Sequence, residues 1–100
     1  MARFEILIKP SAAKELESLP RKKDRQRIAE RIGRLTDDPR PPGCQKLSGR
    51  DRYRIRQGVY RIVYSIQDKQ LIVVVIKIGH RKDVYRGGAA GGARAVEGSE

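Results

Sequence analysis

The sequence holds one cysteine, one histidine and 12 acidic residues among its 100. Each shortage closes off a chemistry. Cys44, in a stretch rich in proline and glycine, has no partner for an internal disulfide and no second thiol for a zinc site, which fits a reducing compartment. His80 is the sole histidine and no carboxylates are clustered at ligand spacing, so a resident metal is not expected. Nucleophile elbows, paired carboxylates and phosphate loops are also missing. The run "GGAAGG" is no P-loop, because no strand leads into it and no lysine with serine or threonine follows. No cofactor is therefore expected. Apolar runs fall well short of the roughly 20 residues that span a bilayer, and the first residues contain no signal-like apolar segment. The arginines are not confined to one amphipathic helix either, so the expectation is a soluble, cytoplasmic protein with no membrane partner.

What the sequence has in excess is positive charge. The 23 Lys+Arg against 12 Asp+Glu give a net +11. A surplus of that size repels itself and is usually kept for a polyanion, nucleic acid before all others. The last residues, 87–100, carry Arg94 against Glu97 and Glu100, so the surplus belongs to the part of the chain before them.

Length bounds the chain to one domain with a modest core. Residues 3–8, "RFEILI", alternate and then run apolar, as an opening strand would. Pro10-Ser11 offers the start of a short helix, with Ser11 as N-cap, that turns Ala12, Ala13, Leu16 and Leu19 inward until Pro20. From about 21 to 36, Ile28, Ile32 and Leu35 recur at helical spacing, with Ala29 beside them, and Asp37-Asp38-Pro39 stops the run. Residues 39–50 read as a loop stiffened by prolines. Strands are expected at about 52–56, 59–66 and 70–78. The last of these, "QLIVVVIKI", is apolar enough to be central, with Gly79 ending it. A short helical turn at 82–86 precedes a tail, 87–100, without core-forming residues. The order β-α-α-β-β-β predicts an α+β domain over 1–86: a small, mainly antiparallel, four-stranded sheet with the N-terminal helix pair on one face and the other face open.

The open face is where the charge gathers. If Gln57-Gly58 is a two-residue hairpin turn, Ile55 pairs with Tyr60, Tyr53 with Ile62, and Arg54 opposes Arg61. Like charges directly opposed cost about a few tenths to 1 kcal/mol. Arg52, Arg54, Arg56 and Arg61 then share one face, and no carboxylate lies between Arg52 and Ile66. Phosphate oxygens would resolve the conflict, since guanidinium forks bind them in pairs and stay charged. The register of the following strand is open. A two-residue turn at Asp68-Lys69 brings even positions, ending at His80, onto the arginine face, whereas a three-residue turn brings Lys77 and Arg81. The second helix carries Lys22, Lys23, Arg25, Arg27, Arg31 and Arg34, a surface able to hold a large nucleic acid through its backbone.

The stretches "YRIRQGVYRIVYSI" and "VVVIKIGHRKDVY", with "KPSAAKELESLP" and "GCQKLSG", resemble the RelE family of toxins from type II toxin-antitoxin modules, over about residues 3–86. The resemblance implies a metal-independent endoribonuclease that enters the ribosomal A site and cuts mRNA there, with mRNA and ribosomal RNA as partners and a cognate antitoxin protein that neutralises it. It places the family's catalytic positions on Arg54, Arg56, Arg61, Arg81 and Tyr85. Many relatives have lysine where this chain has Arg54 and Arg56, and arginine does not readily accept a proton. His80, whose ordinary pKa lies near neutrality, is then a candidate base, with Lys46 and Lys77 as others. Lys46, Arg50, Arg52, Lys77, Lys22, Lys23 and Arg25 are the expected RNA-binding set. Two rival readings are a ParE-like inhibitor of DNA gyrase, and a catalytically weak partner in an autoregulatory DNA-binding complex.

Overall fold

The computed structural model describes residues 3–47 and 51–80. Strand β1 (Glu5–Ile8) leads into helix α1 (Pro10–Glu17), helix α2 (Lys22–Arg34), and strands β2 (Gln45–Leu47), β3 (Arg52–Gln57), β4 (Tyr60–Gln67) and β5 (Ile72–His80). The α+β class and the helix pair are as the sequence pattern predicts. The sheet is larger: five strands in the order β1-β5-β4-β3-β2, where four were expected. The added strand is β2, cut from the stretch read as loop. It is three residues long, too short for alternation to register, and it lies antiparallel to the edge of β3. Strand β1 runs parallel to β5, which is an interior strand but not the central one that its continuous apolar run predicts: β4 holds the middle of the sheet, and alternate residues of β5 are only half-buried. Gly79 does not end β5, which continues through His80. The helical turn expected at 82–86 and the tail 87–100 lie outside the described residues.

Helix α1 begins with Pro10 in its first turn, where the missing N–H costs nothing, and Lys9 rather than Ser11 occupies the cap position. Both helices lie on one face of the sheet. Ala12 of α1, Ile28 and Ile32 of α2, and Leu35 meet Tyr53, Ile55, Ile62, Tyr64, Ile66, Val73, Val75 and Ile78 in a single core. Alternation along β3 and β4 thus delivers the odd residues of β3 and the even residues of β4 inward. Residues 38–44 are pinned beneath this core edge. The Tyr64 hydroxyl donates to the Pro39 carbonyl oxygen at 2.7 Å, and burial, with Cys44 nearby, pushes the Tyr64 pKa well above the usual phenol range. Arg40 donates to both carboxylate oxygens of Asp68, at 3.1 and 2.9 Å, and to the Tyr53 hydroxyl at 3.2 Å. That fork holds the 38–44 segment to the β4–β5 connection.

Candidate nucleic-acid interface

The β3–β4 hairpin builds the site. Its two-residue turn is Gly58-Val59, one position later than expected, and Gly58 takes the left-handed conformation such turns require, with φ at 63°. Arg56, not Arg54, therefore stands opposite Arg61. Arg54 opposes Val63, and the apolar pairs are Ile55 with Ile62 and Tyr53 with Tyr64. The slip leaves the face assignment intact, because moving a turn by one residue shifts cross-strand partners by two. Arg52, Arg54, Arg56 and Arg61 do share the face opposite the helices. They are not equally accessible. Arg56 is exposed and Arg52 half-buried, while Arg54 and Arg61 are only 7 % and 4 % exposed. A guanidinium taken so far from water stays charged, and its desolvation cost falls when an anion reaches it.

Between β4 and β5 the register shifts at Val63/Tyr64: Val63 opposes Lys77, Tyr64 opposes Val75, and Ile76 is the extra residue of a bulge. The bulge swaps the parity of β5. Before it, Ile72 and Val74 share the arginine face with Gln67 and Ser65; after it, Lys77 and Gly79 do, beside Val63 and Arg61. Neither a two- nor a three-residue turn describes this, since the connection is four residues, 68–71, and the switch comes later. His80 is thereby placed on the opposite, helix-side face. It pairs with Tyr60, their rings edge to face at 6.1 Å, by a groove of about 440 Å³ that Lys14, Leu19 and Pro20 also line.

Lys77 turns to the sheet edge. Beyond Ile8, β1 no longer covers β5, and Glu15 of α1 takes its place by accepting from the Ile78 N–H at 2.9 Å and from Lys77 Nζ at 3.0 Å. Lys46 opposes Tyr53 and so lies on the helix side of the β2 edge, exposed. Lys22 and Lys23 are exposed at the start of α2, whereas the Arg25 guanidinium donates to the Leu19 carbonyl oxygen and ties α2 to the connection between the helices. Arg50, Arg81 and Tyr85 lie outside the described residues. The structure brings together Arg52, Arg54, Arg56 and Arg61, and separates them from His80 and Lys46. Sequence reasoning missed the Arg40–Asp68 fork, which joins residues 28 positions apart and leaves no local signal. Among the described residues, no group of His, Cys, Asp and Glu is placed to hold a metal ion, and no helix is long and apolar enough to cross a membrane.

A family model described as ParE toxin of type II toxin-antitoxin systems, parDE, matches residues 6–85. The chain belongs to the RelE/ParE family of toxins. A RelE-like toxin protein of Escherichia coli is 32 % identical over 87 residues, covering 83 % of this chain and 90 % of that protein. Toxin RelG of Mycobacterium tuberculosis is 28 % identical over 86 residues, covering 83 % and 97 %. Among solved structures, the archaeal RelE–RelB complex of Pyrococcus horikoshii matches with a TM-score of 0.72 and 32 % identity, over 79 % of this chain and 96 % of that one. The intact RelBE toxin-antitoxin complex of Escherichia coli gives 0.67 and 29 %, over 79 % and 96 %. This RelE/ParE chain is therefore a toxin of a toxin-antitoxin module, and four arginines share one face of its sheet.

Proposed function

We propose that this toxin is a ribosome-dependent mRNA endoribonuclease and that the arginine face is its reaction surface. The observation that carries the reading is Arg56 directly across from Arg61, with Arg54 and Arg52 on the same face. In RNA cleavage of this kind the 2′-hydroxyl loses a proton and attacks the neighbouring phosphorus, negative charge grows on the phosphorane oxygens, and the bond to the 5′-oxygen breaks as that oxygen takes up a proton. Arg56 and Arg61 supply fixed positive charge at the second of these steps. Their sheet setting keeps the two forks at one site without reorganisation. Arg81 supports the leaving oxygen and Tyr85 stacks on or orients a base, the roles that the family resemblance gives these positions.

Proton removal needs a different source. Arginine does not titrate in the useful range, His80 and Lys46 lie across the sheet from the arginines, and Lys77 Nζ is drawn to Glu15 at the sheet edge. Catalysis thus rests mainly on alignment of the 2′-hydroxyl and on charge stabilisation, for which the ribosome holds the mRNA in place. The arginine face also suits an acidic antitoxin, and solved relatives are RelE–RelB complexes. Gyrase inhibition, which the ParE name of the family model raises, gives the arginine face no evident task.

The test is cleavage by the purified chain in EDTA of naked mRNA and of the same mRNA on a ribosome with an empty A site. Cutting on the ribosome alone is expected. A folded protein that cuts neither, or that instead blocks gyrase supercoiling, overturns the reading.

A further inference from the structure

The basic residues of α2 do more than decorate a solvated helix. Arg27, Arg31 and Arg34 line a cleft of about 240 Å³, together with Glu30 and with Gln57, the residue that ends β3 at the hairpin tip. Three features set the cleft apart. First, none of these arginines forms an ion pair among the described residues, although Glu30 lies within about a turn of each. Second, the Arg31 Nε is buried and meets no hydrogen-bond acceptor among the described residues, so that this one N–H has given up hydration without compensation inside the fold while the half-buried side chain keeps the rest of its fork toward the cleft. Third, the cleft is lined by no apolar side chain. A protein partner would find no anchor there, whereas phosphate oxygens need only donors and charge. Favourable interaction with the C-terminal end of α2 would account for Arg31 and Arg34 in its last turn, but not for Arg27 or for the cleft they share.

The position of the cleft supplies the link to the main surface. Gln57 follows Arg56 in β3, and alternation turns them to opposite faces of the hairpin tip. A strand that leaves the arginine face at Arg56 can therefore pass around the tip and reach α2 within a few nucleotides.

We propose that the cleft formed by Arg27, Arg31, Arg34 and Gln57 is a second phosphate-binding site, which holds RNA backbone flanking the segment on the arginine face. The proposal rests on the RNA-cleaving reading for the identity of its ligand, yet it concerns affinity, not the bond-breaking step. Three arginines on backbone phosphates release counterions, so each contributes about 0.7 to the slope of log affinity against log salt for a single strand.

The experiment measures binding of a fluorescein-labelled single-stranded RNA by anisotropy over a salt series. It compares the full chain with the triple variant Arg27→Gln/Arg31→Gln/Arg34→Gln and with a charge-matched control, Arg3→Gln/Lys14→Gln/Lys69→Gln. The cleft variant should lower the salt slope by about two and weaken binding at least tenfold at low salt, with the control close to the parent. If partly buried Arg31 proves necessary for folding, Arg27→Gln/Arg34→Gln removes two exposed charges and should lower the slope by about 1.4. Equal losses in cleft variant and control would mean that only net charge matters, and would overturn the site. Loss of binding to a glutamate-rich peptide with RNA binding unchanged would also overturn it, in favour of a protein partner. A parent that binds RNA through the cleft but never cuts mRNA on ribosomes would refute the nuclease reading and leave this site standing.

Discussion

Arg56 and Arg61 face each other across the β3–β4 ladder, two residues of the same charge in the pair next to Gln57–Tyr60, which closes the hairpin turn. Such a pair works against folding, so its removal should stabilise the protein, and on the proposed reading it should also weaken mRNA cleavage. Arg56→Thr is expected to raise unfolding free energy by about 0.5 kcal/mol, because threonine also suits an exposed strand position. Urea denaturation of parent and variant measures it, alongside cleavage on ribosomes. A variant that is both less stable and fully active would mean that the pair is retained neither at a cost to folding nor for catalysis.

Glu15 and β5 form a second such relationship. The carboxylate closes the strand edge that β1 leaves open, with one oxygen on the Ile78 N–H and the other on Lys77 Nζ. Glu15→Ala strands a partly buried N–H and should cost about 1–2 kcal/mol, whereas Lys77→Ala, which leaves that bond intact, should cost less than about 1 kcal/mol. Equal losses in denaturant melts would show that the ion pair, not the backbone cap, is what matters at this edge.

Acid should loosen the 38–44 segment. The Arg40 fork holds the Asp68 carboxyl below its ordinary value of 3.8, and Asp68 is exposed. A group whose folded pKa is depressed contributes stability above its unfolded pKa and loses it as pH falls through the folded one. The thermal midpoint of the parent should therefore decline below about pH 4 more steeply than that of Asp68→Asn, the two curves converging in strong acid. Parallel curves over that range would contradict the assignment.

Much of this was legible in the sequence because it depends on period. Alternation in "RYRIRQ" is enough to put Arg52, Arg54 and Arg56 on one face, and helical spacing of Ile28, Ile32 and Leu35 is enough to seat α2 on the core. Both survive an error of one residue in the turn. Which residues oppose each other does not survive it, so Arg56 replaced Arg54 as the partner of Arg61. The bulge at Ile76 was invisible for a related reason: it inverts the parity of β5 within an unbroken apolar run, and so decides the side on which His80 lies without marking the sequence. Strand β2 and the Arg40–Asp68 fork are tertiary choices made by a short edge and a distant carboxylate. The cleft on α2 belongs with them, since only the fold shows which of its basic residues meet the hairpin tip.

If the toxin cuts mRNA as proposed, the buried Arg61 stabilises the charge that develops at the scissile phosphate. The decisive comparison is the single-turnover rate of mRNA cleavage on saturating A-site-empty ribosomes, for the parent and for Arg61→Ala. A fall of at least about 100-fold is expected with the cooperative thermal transition retained, as when a preorganised charge donor is removed from a transition state. A folded Arg61→Ala protein that cleaves within a few-fold of the parent would refute that role for Arg61 and, with it, the arginine face as the reaction surface.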